Sequence, residues 1–167
     1  MWDLRRLGQA YGRTLDEDSV HQLATKAARA LKRAGHSPGV DLPVALKTSE
    51  RRCELQWIEY SHITKKSIDD DVNVTEYAGM AMALVIVHTL YPEREWEFMR
   101  RTVRGEFADI VLMARDGDEF FIEASASADA DPSRMAKKRA QLRRCAAAFK
   151  AGCVMEFGPP RAAYEEV

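Results

Sequence analysis

The chain has 167 residues, of which 46% are hydrophobic and 31% charged, with a formal net charge of -1. That length fits one domain able to bury its core without a disulfide or metal staple, and the composition excludes a disordered or fibrous chain. The near-zero charge excludes a global basic field, so contact with nucleic acid would have to come from a local patch.

The three cysteines, Cys53, Cys145 and Cys153, form no CxxC pair and read as reduced thiols of a cytoplasmic protein. His21, His36, His62 and His88 are scattered without metal-ligand spacing, which gives no support to a histidine zinc site. The first segment, MWDLRRLGQAYGR, lacks the apolar run of a secretory signal. The longest apolar stretch, Tyr77 to Val87, is too short to span a bilayer. An intracellular, non-membrane protein is expected.

In chain order, Val20, Leu23, Ala24, Ala27, Leu31 and Ala34 recur at helical spacing, which predicts an amphipathic helix from Asp18 to Ala34 stopped by Gly35. Lys26, Arg29, Lys32 and Arg33 form its solvated face. HSPGVD breaks the chain. LPVALKT and CELQWIEYSHI follow as extended segments, the second with Leu55, Trp57, Ile58, Tyr60 and Ile63, as an extra hairpin on the main sheet or an interaction surface. A helix is expected from Val72 to Tyr91, with N-caps offered by Asp69, Asp70, Asp71 and Asn73 and a stop at Pro92. Apolar nearly all round, it belongs at the centre of the fold.

EWEFMRRTVRG, EFADIVLMARDG and DGDEFFIEASAS then read as three strands, the last two joined at Asp116-Gly117. Asp131-Pro132-Ser133 starts a second helix, expected to run to about Phe149 with Met135, Leu142, Cys145, Ala146 and Phe149 on its inner face. Gly152 ends it, CVMEF is a final short strand, and GPP closes the domain. The whole is one α/β domain with a mixed sheet: residues 1–68 form an N-terminal helix and hairpin extension, and residues 69–158 the core.

Two acids fall inside the apolar strands: Asp109 in FADIVLM and Glu123 in FFIEASA. A carboxylate buried without a partner is expensive, and two on neighbouring strands invite a divalent cation between them. The turn decides whether they meet. A two-residue loop at Asp116-Gly117 sends Asp109 and Glu123 to opposite faces. A three-residue loop over Asp116 to Asp118 pairs Arg115 with Glu119, sets Asp109 opposite Ser125, and keeps both acids on one face.

A helix bearing Glu76, three strands carrying Ala108-Asp109 and Glu123-Ala124-Ser125, then a helix and a strand, resembles the core of the PD-(D/E)xK, restriction-endonuclease-like nuclease superfamily. The resemblance covers about half the chain and implies an αβββαβ core. It further implies Mg²⁺ held by Asp109, Glu123 and the Ala124 carbonyl with Glu76 close by, and metal-dependent phosphodiester hydrolysis. Ser125 stands where the family has lysine, and serine supplies no cation.

Arg134, Lys137, Gln141 and Arg144 recur at spacings of three and four on the next helix. Lys137 is the expected substitute for the missing lysine, with Lys138 behind it. Arg134, Lys137, Lys138, Arg139, Arg143, Arg144 and Lys150 lie in a stretch without acids, suited to a phosphate backbone and extended by Arg100, Arg101 and Arg104. No phosphate-binding, dinucleotide or serine-hydrolase motif is present. The sequence thus predicts a nuclease-fold protein acting on nucleic acid. Its rivals are an inactive binding or assembly subunit of a larger complex, and an interaction module contacting partners through the first helix and the Trp57 segment.

Overall fold

The computed structural model describes residues 1–11, 17–59, 71–101 and 108–167. Tyr60, His62, Ile63, Asp69, Asp70 and Arg104 lie outside the described residues, as do the side chains of Arg100 and Arg101. In chain order the elements are β1 (Trp2–Asp3), α1 (Leu7–Tyr11), α2 (Glu17–Arg33), β2 (Val40–Ala45), β3 (Glu50–Gln56), α3 (Asp71–Leu90), β4 (Trp96–Arg101), β5 (Ile110–Ala114), β6 (Glu119–Ser127), α4 (Ser133–Leu142), β7 (Phe149–Glu156) and β8 (Arg161–Glu166). A short 3-10 turn, Leu4–Arg6, links β1 to α1.

The strands form one mixed sheet of eight, ordered β1-β3-β2-β8-β7-β6-β5-β4, and the architecture is mixed α+β. β4, β5 and β6 make an antiparallel meander. β6 and β7 run parallel, as a strand pair joined through a crossover helix does. β8 returns antiparallel to β7 and pairs in parallel with β2, so the β2–β3 hairpin continues the same sheet.

The core sits around α3. Val74, Ala78 and the unbroken run from Met80 to Val87 are all buried, as expected for a helix without a polar face. α3 packs on β6 and β7, and α2 packs on α3. Gly79 permits the close approach: a Cβ there would sit 3.0 Å from the Ala126 Cβ. The N-terminal segment is pinned by fully buried Trp2, whose Nε1 donates to the Leu42 carbonyl at 3.2 Å, and by Tyr11, whose hydroxyl donates to the Leu84 carbonyl at 3.3 Å. No helix among the described residues is long and apolar enough to cross a membrane.

Two expectations fail here. α4 stops at Leu142, not near Phe149, because residues 149–156 are needed as a strand: Phe149 to Glu156 pair one by one with Phe120 to Ser127. Ala146 and Phe149 are accordingly exposed, and Gly152 lies within the strand instead of ending the helix. Nor does the sheet close at GPP. β8 follows it as an interior strand that buries Ala162 and Tyr164 in alternation.

Candidate functional site

The turn between β5 and β6 decides the site. The Gly117 N–H donates to the Ala114 carbonyl, and the Ala114 N–H to the Asp118 carbonyl, each at 2.9 Å. The loop is therefore Arg115 to Gly117, three residues long but one position earlier than the loop over Asp116 to Asp118. Gly117 takes a φ of 90°, the left-handed geometry that the last residue of such a loop requires and glycine adopts without strain. The register runs from Met113↔Glu119 to Ile110↔Ile122. Val111 is paired with Phe121, and the regular pairing ends at Ile110, one residue short of Asp109. Asp109 nonetheless shares one depression with Ser125, Arg134 and Lys138.

At Asp109 the strand leaves the regular ladder. Its N–H donates to the Ile122 carbonyl at 3.0 Å, and its Oδ2 accepts from the Ala124 N–H at 2.8 Å. The N–H and C=O of an extended residue point to the same side, so the Ala124 carbonyl is also directed toward the gap that β5 leaves. Alternation sorts β6 into two faces: Ala126 meets α3 at Gly79, while Glu123 and Ser125 meet α4.

α4 comes close because Gly152, paired with Glu123, has no side chain. A Cβ at that position would lie 3.2 Å from Met135 Sδ and 3.4 Å from Lys138 Cβ. Arg134, Lys138 and Gln141 share one face of the helix. Arg134 Nη1 donates to Ser125 Oγ and to the Ala126 carbonyl, both at 3.1 Å. Lys138 Nζ donates to Glu123 Oε1 at 2.5 Å.

Glu123 is only 2% exposed, and its Oε2 is buried with no hydrogen-bond partner. Burial holds its pKa above the ordinary glutamate range; the Lys138 hydrogen bond opposes that rise, the Asp109 charge adds to it, and the Gln141 amide opposes it. An unsatisfied buried oxygen costs on the order of 1–3 kcal/mol, more when charged. Above lies an open depression of about 550 Å³, lined by Thr75, Glu76, Asp109, Ser125, Arg134 and Lys138 among others. A second cavity, of about 360 Å³, lies at the other end of β6 and is walled by Tyr91, Trp96, Phe120 and Phe149.

Magnesium takes hard oxygens from one or two carboxylates and keeps several waters. Asp109, Glu123 Oε2 and the Ala124 carbonyl suit that chemistry, and a cation would satisfy the orphaned oxygen. Glu76 lines the depression but is exposed to solvent. No group of three or more His, Cys, Asp or Glu among the described residues is assembled to hold a metal.

The expected cationic stripe divides. Lys137 turns outward, 73% exposed, with its Nζ 3.8 Å from Asp131, so Lys138 and not Lys137 meets the carboxylate. Arg144 lies beyond the end of α4 and is exposed. Arg139 pairs with Glu165 at 3.0 Å, and Lys150 donates to the Cys145 carbonyl at 2.8 Å. Comparison of the chain with protein-family models, curated proteins and solved structures finds no match.

Proposed function

We propose that the chain is a restriction-endonuclease-like PD-(D/E)xK protein that hydrolyses phosphodiester bonds in nucleic acid with Mg²⁺. The observation that carries this reading is the Lys138 ammonium on Glu123, beside the depression that Asp109 lines. It brings a cation from α4 to the carboxylate that, in the resembling family, has its lysine two residues along the strand. The element order α3-β4-β5-β6-α4-β7, with β6 and β7 parallel, supports the same reading.

When bound, Mg²⁺ polarises a phosphoryl oxygen and lowers the pKa of a water. The chain's own groups do the rest. The Ala124 N–H fixes the Asp109 carboxylate. Lys138 offsets the negative charge that develops on the phosphoryl group and restrains Glu123. Lys137, Arg143 and Arg144, exposed on and beyond α4, neutralise backbone phosphates.

One observation favours the rival, a non-catalytic binding or assembly subunit. Lys138 already occupies an oxygen of the carboxylate that a metal would use. The test is divalent-ion binding by thermal shift together with cleavage of a labelled oligonucleotide, in wild type and Asp109→Ala. The proposal expects Mg²⁺ to raise the melting temperature of the wild type alone, and cleavage to disappear in the variant. Tight binding of nucleic acid without metal dependence or cleavage would instead establish the rival.

A further inference from the structure

We infer that Arg134 is a phosphate-anchoring residue and that Ser125 is its seat, so the serine marks a rebuilt anion site rather than a simple loss of lysine. Identifying the anion as a nucleic-acid phosphate rests on the function proposed above; the anion site itself does not.

Arg134 stands in the first turn of α4, and one nitrogen, Nη1, is committed to Ser125 Oγ and the Ala126 carbonyl. Its Nε is buried, 3.5 Å from Asp131 Oδ2, and makes no hydrogen bond. A guanidinium carries five N–H donors; the protein supplies acceptors among the described residues for Nη1 alone. The side chain is one-third exposed and lines the depression with Asp109 and Lys138. A planar cation tethered through Nη1 and ion-paired with Asp131 at its buried Nε leaves the two Nη2 N–H groups for the depression it lines, and these match an oxyanion better than a single water.

The tether explains the serine. Position 125 faces α4 and its Oγ already lies 3.1 Å from the guanidinium. A lysine there would bring a second cation against the first and displace Nη1 from its acceptor. Serine accepts the hydrogen bond and leaves the room. Arg134 and Ser125 therefore act as a pair, and restoring lysine alone is the wrong repair.

The probe is inorganic phosphate, titrated into the protein while the side-chain Nε–H signals of arginine are followed by NMR. A short oligonucleotide in calcium buffer reports binding without turnover. Wild type should show a saturable shift at Arg134. Arg134→Ala, which lacks that reporter and is titrated with phosphate by calorimetry, should lose phosphate affinity and weaken oligonucleotide binding about ten- to a hundredfold, the range for hydrogen bonds to a charged group. Arg134→Lys should keep part of the affinity, and Arg52→Ala, on β3 four strands away from β6, should keep most of it. Ser125→Lys should bind phosphate no better than wild type, whereas the double variant Ser125→Lys/Arg134→Ala should bind it better than Arg134→Ala. Phosphate affinity unchanged in Arg134→Ala, or raised in Ser125→Lys with Arg134 present, would overturn the inference. An absence of cleavage in every variant would sink the nuclease reading and leave the anion site to be judged by the phosphate titration alone.

Discussion

α3 and α4 cover opposite faces of the same two strands, β6 and β7, and they are built on opposite principles. α3 has no charged residue from Tyr77 to Val87 and buries nearly all of that run. α4 is half-exposed and buries only Leu142 fully. Each approaches through a glycine, Gly79 on the helix for α3 and Gly152 on the strand for α4. The contrast shows how the fold supports an expensive site. Burying Met82, Leu84 and Ile86 contributes roughly 1.5–3 kcal/mol each, which exceeds the cost of about 1–3 kcal/mol for the unpartnered Glu123 oxygen. One face of β6 stabilises the fold; the other tolerates the polar groups of the proposed site.

The contrast breaks most visibly under core truncation. Ile86→Ala should lose about 2–5 kcal/mol in urea unfolding, as large-to-small changes in a filled core do. A loss below 1 kcal/mol would mean that α3 is not the stabilising side.

On the α4 face the decisive variable is pH. Because burial raises the folded-state pKa of Glu123 above the ordinary 4.5, with the neighbouring Asp109 charge adding to it, the folded protein binds more protons than the unfolded chain just above that value. Stability from this group therefore falls as pH climbs from about 4.5 through the raised pKa, then levels off. Glu123→Gln should remove that decline, measured as the difference in melting temperature between variant and wild type across pH 4 to 8. A difference that does not grow with pH would show that Glu123 carries no such strain.

The glycines give the smallest and sharpest comparison. At Gly79 an added methyl meets the Ala126 Cβ at 3.0 Å and backbone atoms of Ser125 and Ala126 at 3.2 and 3.3 Å, so Gly79→Ala should cost about 1–3 kcal/mol. At Gly152 the nearest atom is the flexible Met135 sulfur at 3.2 Å, and Gly152→Ala should cost less than about 1 kcal/mol. The second variant should nonetheless disturb activity more than the first per unit of stability lost, since it pushes on Lys138. Equal effects on both readouts would erase the distinction between the two helices.

Much of this arrangement is legible in the chain. The helical period of α2, the all-round apolarity of α3 and the acids just before β5 and within β6 each follow from local pattern. The register was not legible, because two-residue and three-residue loops both fit the turn residues. The feature that settles it is Gly117, whose positive φ makes it the last residue of the loop. The end of α4 was hidden because Leu142, Cys145, Ala146 and Phe149 continue a helical spacing; pairing with β6 takes Phe149 into a strand instead. β8 did carry a signal, Ala162 and Tyr164 alternating with exposed or half-buried neighbours, but the proline pair before it read as an ending. The choice between Lys137 and Lys138 depends on which way α4 is rotated over Gly152, which spacing along one helix does not specify.

The central claim is that the ammonium from α4 at Glu123 is the working substitute for a strand lysine. Cleavage of a labelled oligonucleotide in Mg²⁺ by Lys138→Met, set beside Lys137→Met, tests it most directly. At saturating oligonucleotide the account predicts a fall in kcat of about 10²–10³-fold for Lys138→Met and near-wild-type kcat for Lys137→Met, whose phosphate contact affects binding alone, both variants remaining folded. Equal turnover by the two variants, or a loss confined to Lys137→Met, would contradict it.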